Sequence, residues 1–161
     1  MGYDIAIVDF EWGGNDIDVN VAGLRDAIEE LNDMLAINNS DEQLVVMGLS
    51  MGALISRIAL SEMTNHNARL YISFDGPHQG AYIPMPLQAV YSSLIDDEKE
   101  KIPGLLDIMF KMLRNLSPLE CPAAQQMLMS HYLASPNNSP FNPTSEHTTL
   151  YNRMQHFWQI L

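Results

Sequence analysis

The sequence predicts an α/β fold: a parallel β-α-β-α-β core followed by a mostly helical segment. Two observations carry this prediction. Three short apolar runs, Tyr3 to Phe10, Leu44 to Leu49 and Ala68 to Phe74, are rich in Ile, Val and Leu and too short for helices. The stretches between them repeat their apolar residues at helical spacing, and the connections are brief. Strands that alternate with helices through short connections form parallel sheets.

Tyr3 to Phe10 (YDIAIVDF) is nearly continuous in apolar residues and is broken by Gly13-Gly14-Asn15-Asp16, the pattern of a strand buried on both faces. From Asn20 to Ile37 the period changes. Val21, Leu24, Ile28, Leu31 and Leu35 share one helical face, while Arg25, Asp26, Glu29, Glu30 and Asp33 take the other. Leu44 to Leu49 (LVVMGL) reads as a second buried strand. Met51 to Met63 reads as a helix apolar on most sides, through Ala53, Leu54, Ile55, Ile58, Ala59 and Leu60. Ala68 to Phe74 (ARLYISF) is the third predicted strand.

After Asp75 the chain becomes turn-rich through Gly76-Pro77-His78-Gln79-Gly80, then passes Pro84 and Pro86. The remainder reads as helical. Leu105, Met109, Met112, Leu113 and Leu116 form a stripe, Pro122 opens a helix expected to reach about Leu133, and Leu150, Met154, Phe157 and Leu161 mark a last helix. Residues 1–84 are thus expected to form the α/β core and residues 85–161 a helical segment of the same domain.

Composition narrows the functional classes. The chain has 161 residues, a length expected of one domain, with 47% hydrophobic and 17% charged residues, enough to fill a core. Eight Lys and Arg against 20 Asp and Glu give a formal net charge of -12, which argues against nucleic acid and anionic lipid surfaces. The single Cys121 excludes an internal disulfide and any multi-cysteine metal site, and no His, Asp and Glu spacing suggests another. No metal and no cofactor are expected. No apolar run is long enough to span a membrane, and the first residues lack the basic and apolar regions of a signal peptide, so a cytoplasmic location is the default expectation.

The sharpest signal is Gly48-Leu49-Ser50-Met51-Gly52, a G-x-S-x-G at the junction of a predicted strand and a predicted helix. Such a junction projects the serine oxygen above the sheet, and small residues two before and two after it let the backbone pass close to itself. The helix start supplies N–H donors for a developing oxyanion. Ser50 is therefore the candidate nucleophile and the Met51 N–H a candidate oxyanion donor, and Ser50 is expected to have a positive or otherwise strained φ.

VVMGLSMGALISRIAL resembles the nucleophile elbow and following helix of α/β-hydrolase esterases and lipases. YISFDGPHQGA (Tyr71 to Ala81) resembles the next strand and its Pro-His-x-Gly loop in lipase-like members, and GYDIAIVDF the strand before the first helix. The resemblance runs in order from Gly2 to about Pro84 and is to bacterial esterases of this type. Beyond Pro84 it extends only to a helical insertion that caps such sites. It implies a serine hydrolase acting on a small-molecule ester through an acyl-enzyme. It also implies an eight-stranded sheet and a later acid and histidine, so the chain is expected to be a partial core, a fragment of a larger hydrolase.

For the acid, Asp75 at the end of the third predicted strand is the leading candidate, with Asp9 behind it. Among the histidines, His66 has a structural explanation near a helix end. His78 resembles a loop anchor, three residues from Asp75. His131 and His156 lie on predicted helices. His147, at the start of the last helix, is the only one placed where it could swing over the site, and the base is expected to be absent from this chain. The catalytic base is not identified in this chain, which leaves a second expectation: a non-catalytic binding or interaction protein on a partial α/β-hydrolase scaffold. A three-stranded sheet covered by few helices would also expose apolar surface and open edges, with self-association as a consequence.

Overall fold

The structure is a computed structural model that describes residues 4–96, 119, 121–132 and 143–157. The chain divides into two compact units, one of residues 1–13, 17–78 and 156–161, the other of residues 14–16 and 79–155.

The first unit is α/β. It contains α1 (Ile17–Ile37), β1 (Leu44–Leu49), α2 (Met51–Glu62) and β2 (Ala68–Phe74). Both strands and α2 match the expected bounds to within a residue. α1 begins three residues before the expected Asn20, because Ile17 and Asn20 are buried and the Asn20 side-chain amide donates to the Gly13 carbonyl at 3.2 Å. Val21, Leu24 and Ile28 form its buried face, as their spacing predicts. Asn39 ends the helix region with a φ of 50°, a left-handed residue of the kind that closes helices.

α2 is the centre of this unit. Its residues Ala53 to Ala59 are buried without interruption, and the helix packs on α1, β1 and β2. Complete burial of Leu54, Ile55 and Ile58 contributes about 1.5–3 kcal/mol for each side chain, which makes the underside of α2 the main apolar core of the unit.

Among the described residues the sheet has two parallel strands, β1 and β2, with Val46 opposite Tyr71, Gly48 opposite Ser73 and Leu49 opposite Phe74. Two expectations need correction. The β-α-β-α-β core is reduced to β1-α2-β2, because residues 4–10 form no strand: Ile5 and Ile7 are 84% and 89% exposed, and the segment has no ladder partner. An apolar run becomes a strand only when a neighbour satisfies its N–H and C=O groups. Nor is β1 buried on both faces. Val45, Met47, Leu49, Leu70 and Phe74 share the face that α2 does not cover, and Leu49 is 72% exposed.

The second unit is helical, with α3 (Met85–Asp96), α4 (Pro122–Met127) and α5 (Ser145–Phe157). Pro86 is accommodated in the first turn of α3, where its missing N–H costs nothing. α4 ends at Met127, short of the expected Leu133, because the chain turns into a bridge: Ala81 N–H donates to Met127 O at 2.8 Å and Met129 N–H to Ala81 O at 2.9 Å. The stripe Leu105 to Leu116 and the terminal Leu161 lie outside the described residues.

Polar side chains form much of this unit's core. The Gln88 amide donates to Ile83 O at 2.6 Å and Ser130 O at 2.9 Å, and its carbonyl accepts the Tyr132 N–H at 3.2 Å. Thr144, fully buried, caps α5 by accepting the His147 N–H at 3.0 Å and donates its own hydroxyl to Gln125 O at 3.1 Å. Among the described residues no helix is long and apolar enough to cross a membrane.

Candidate functional site

The junction between β1 and α2 is a strand-to-helix turn with Ser50 at its corner. Ser50 sits between Leu49, the last residue of β1, and Met51, the first of α2, with φ 51° and ψ -120°. Asn39 and Asn67 also have positive φ, but an Asn side chain tolerates that region. Ser50 has no such allowance, and its backbone stores strain on the order of 1–3 kcal/mol. Two hydrogen bonds hold it there. Its N–H donates to Phe74 O at 2.8 Å, which ties the junction to the end of β2, and its C=O accepts the Ala53 N–H at 3.0 Å.

The two glycines of the motif do different work. A methyl group on Gly48 would lie 2.5 Å from the backbone N and Cα of Ala53, so β1 and α2 cross there with no room for a side chain. A methyl group on Gly52 would meet nothing within 4 Å. The expectation that both flanking positions must be small is corrected at Gly52, which faces open space.

Ser50 is exposed, and its hydroxyl makes no cap bond to α2. The Met51 and Gly52 N–H groups have no acceptor among the described residues and stand at the start of α2, beside the serine. Two free donors at a helix N-terminus are the local chemistry of an oxyanion site.

Asp75 follows Phe74 directly, so the Ser50 N–H bond brings it to the same edge of the sheet. It is exposed, has φ 49°, and its carboxylate bonds no described residue. Asp9 lies in the exposed irregular segment rather than at a strand end.

The histidines are mostly committed elsewhere. His66 accepts the Ala68 N–H on Nδ1 at 2.9 Å and its carbonyl accepts from Asn32. His131 is fully buried, with Nε2 2.9 Å from Leu119 O. His156 falls in the last turn of α5. His147, the one histidine whose position in the sequence could let it swing over the site, is a packed core residue. It is buried, its Nδ1 lies 3.1 Å from Gln126 O, and its ring stacks on Tyr151 with centroids 5.9 Å apart. Gly80, at φ 89°, leaves the space that the His147 ring fills. Burial holds the His147 pKa below the ordinary histidine value.

His78 lies near the start of α2, its ring and the Ala53 Cβ both standing against Gly76. Its Nε2 lies 2.8 Å from the Ser73 Oγ on β2, and Nδ1 is buried without a partner. Burial, and then the positive charge of Arg57, lowers its pKa. Nδ1 is thus turned away from solvent, while Nε2 faces the exposed Ser73 hydroxyl. Ser73 and Tyr71, which share a face of β2, carry no weight in a motif search. Their signal is the strand period of two, followed five residues later by His78.

Among the described residues no group of three His, Cys, Asp or Glu side chains is placed to hold a metal ion. Comparison with protein-family models, with curated proteins and with solved structures gave no match.

Proposed function

We propose that the chain is a serine hydrolase of the α/β-hydrolase type, an esterase or lipase-like enzyme, acting on carboxylic esters through Ser50. The observation that carries this reading is the strained φ of Ser50 at a strand-to-helix junction whose close approach is made possible by Gly48. A positive φ on a serine costs free energy without improving the packing, and such strain concentrates where a side chain must be aimed.

In the proposed reaction the Ser50 Oγ attacks the ester carbonyl carbon. The C–O bond to serine forms, and the carbonyl electron pair moves onto oxygen. That oxyanion is received by the Met51 N–H, with the Gly52 N–H as the adjacent donor. Collapse breaks the carbonyl carbon's bond to the alkoxide, which leaves as the alcohol with the proton the serine hydroxyl releases through solvent, and water then hydrolyses the acyl-serine to the acid and free serine. Asp75 is the proposed acid at this edge. The bare apolar face of β1 and β2 extends the proposal to self-association, read as a concentration-dependent mass in sedimentation.

A second reading is favoured by one observation. A ring nitrogen of each of His66, His78, His131 and His147 is hydrogen-bonded to a group other than Ser50, which favours a non-catalytic binding module on the same scaffold. A fluorophosphonate probe separates the two. The hydrolase reading predicts covalent labelling that disappears in Ser50→Ala. An unlabelled parent protein rejects it in favour of the binding module, since an unassisted serine is a weak nucleophile. Turnover of p-nitrophenyl esters is expected to be slow, because a serine hydrolase without its base keeps only about 10³–10⁴-fold acceleration over water.

A further inference from the structure

Strand β1 and residues 4–10 are both apolar runs that lack a backbone neighbour. Among the described residues the sheet has only β1 and β2, so the outer edge of β1 pairs with no strand. The Ser50 N–H turns toward β2, through its bond to Phe74 O. By the strand period of two, Gly48 and Val46 also turn inward. Val45, Met47 and Leu49 then turn their N–H and C=O groups to the outer edge. Their side chains are exposed too, Met47 at 63%. Residues 4–10 hold Ile5-Ala6-Ile7-Val8 between Asp4 and Asp9, in no helix and no strand.

The two edges of the sheet are not alike. β2 carries the exposed Arg69 and Ser73, and a charged side chain on an edge strand discourages pairing with another chain. β1 (LVVMGL) has no polar side chain, so its edge is unguarded. Residues 4–10 supply what that edge lacks: an apolar run long enough to match the six residues of β1. Within one chain the two stay apart. They belong to the same compact unit, yet β1 pairs with β2 alone. A second copy is free of that tether. Residues 4–10 extend from a turn at residues 11–14, where the Gly13 carbonyl is held by Asn20 of α1. Fully extended, such a segment reaches about 23–25 Å.

We propose that two copies of the chain form a closed dimer by strand exchange, in which residues 4–10 of each copy add as a strand to the outer edge of β1 in the other. Asp4 and Asp9 bracket the apolar centre and fix its register, because a slip would carry a carboxylate onto the apolar face. Reciprocal exchange leaves neither copy with an open β1 edge, so assembly stops at two. Each copy carries a formal charge of -12, and salt that screens this repulsion tightens the dimer. The exchange rests on the self-association proposed above, whose contact it names, and not on the hydrolase reading.

The test uses the full 161-residue chain. Sedimentation at rising concentration is expected to show monomer passing to dimer, at lower concentration when salt is raised. Ile7→Pro removes an N–H that strand pairing needs and keeps an apolar side chain. Ile7 is exposed, so the urea midpoint of this variant should equal the parent's. The concentration at which it dimerises is expected to rise about tenfold or more, while Ile7→Val stays at the parent value. Crosslinking locates the contact. Ile7→Cys protein mixed with Met47→Cys protein should be joined between copies by a short bismaleimide, with the link mapped to positions 7 and 47. Ile37→Cys protein, whose substituted position is also exposed, should not be joined to position 47. If the parent dimerises but Ile7→Pro does so at the same concentration, or position 7 links no faster than position 37, the exchange is overturned and the sheet faces themselves associate. Growth beyond the dimer contradicts a closed exchange. A parent that stays monomeric at every concentration overturns both the exchange and the self-association.

Discussion

The two units are held together by different chemistry. In the first, the interior is mostly aliphatic: Ile17, Val21, Leu24, Ile28, Leu54, Ile55 and Ile58 are all buried, beside the polar Asn20, Ser56 and Arg57, and geometry is fixed where backbones touch, at Gly48 and Ala53. In the second, among the described residues, Gln88, Ser130, His131, Thr144 and His147 are buried beside Ala123, Ala124, Leu128, Leu150 and Met154, and geometry is fixed by hydrogen bonds. Hydrophobic burial is non-directional and tolerates exchange of similar shapes. A buried hydrogen-bonded network tolerates loss of no member, because each orphaned partner keeps its desolvation cost. The first unit should therefore fail by collision and the second by loss of partners.

The largest effect is expected at Gly48. Gly48→Val places a branched side chain where a single methyl already lies 2.5 Å from the Ala53 backbone. The expected loss is about 3 kcal/mol or more, read as a lower midpoint in urea unfolding, together with loss of probe labelling. Gln88→Ala comes next. It strands the Ile83 and Ser130 carbonyls and the Tyr132 N–H, for an expected cost of about 2–4 kcal/mol. A Gln88→Ala protein with the parent midpoint would mean that water replaces those bonds and that the contrast between the units is weaker than drawn.

Acid should also act on the helical unit. The folded-state pKa of His147 is lowered by burial, so the unfolded chain binds the proton more readily. The stability contributed by the neutral ring is complete above the unfolded value of about 6.5 and is lost as pH falls through the lower folded value. Melting followed between neutral and mildly acidic pH should show this decline. His147→Gln should flatten the part due to this ring, while the His78 contribution, of the same sign, persists.

The smallest effect is expected at Gly52. Gly52→Ala meets no neighbour within 4 Å and lies inside a helix, so it should leave stability unchanged or raise it by up to about 1 kcal/mol. The pair Gly48→Ala and Gly52→Ala, measured side by side, sharpens the account of the junction more than either alone.

What could be read in the sequence follows the same divide. β1, α2 and β2 were legible to within a residue, because period and Gly placement are local signals and α2's uninterrupted burial matches its apolar residues. The position and strain of Ser50 were legible from the motif. The difference between Gly48 and Gly52 was not, since the motif names both alike and only the crossing of β1 under Ala53 separates them. Residues 4–10 misled for a related reason: their apolar pattern matches that of β1, but a strand also needs a backbone partner, which composition does not supply. His147 misled most. Its burial depends on Gln126 and Gly80, 21 and 67 positions away, and long-range pairing of polar groups leaves no periodic trace.

The account's central claim is that Ser50 is the group that takes up the acyl moiety. The most direct measurement is to incubate the protein with a p-nitrophenyl ester, quench with acid and weigh its tryptic peptides. The account predicts that the peptide from Asp26 to Arg57, which contains Ser50 and no other site of the proposed chemistry, gains the mass of the acyl group, and that Ser50→Ala abolishes the gain. Acylation absent from that peptide, or persisting there in Ser50→Ala, would contradict it.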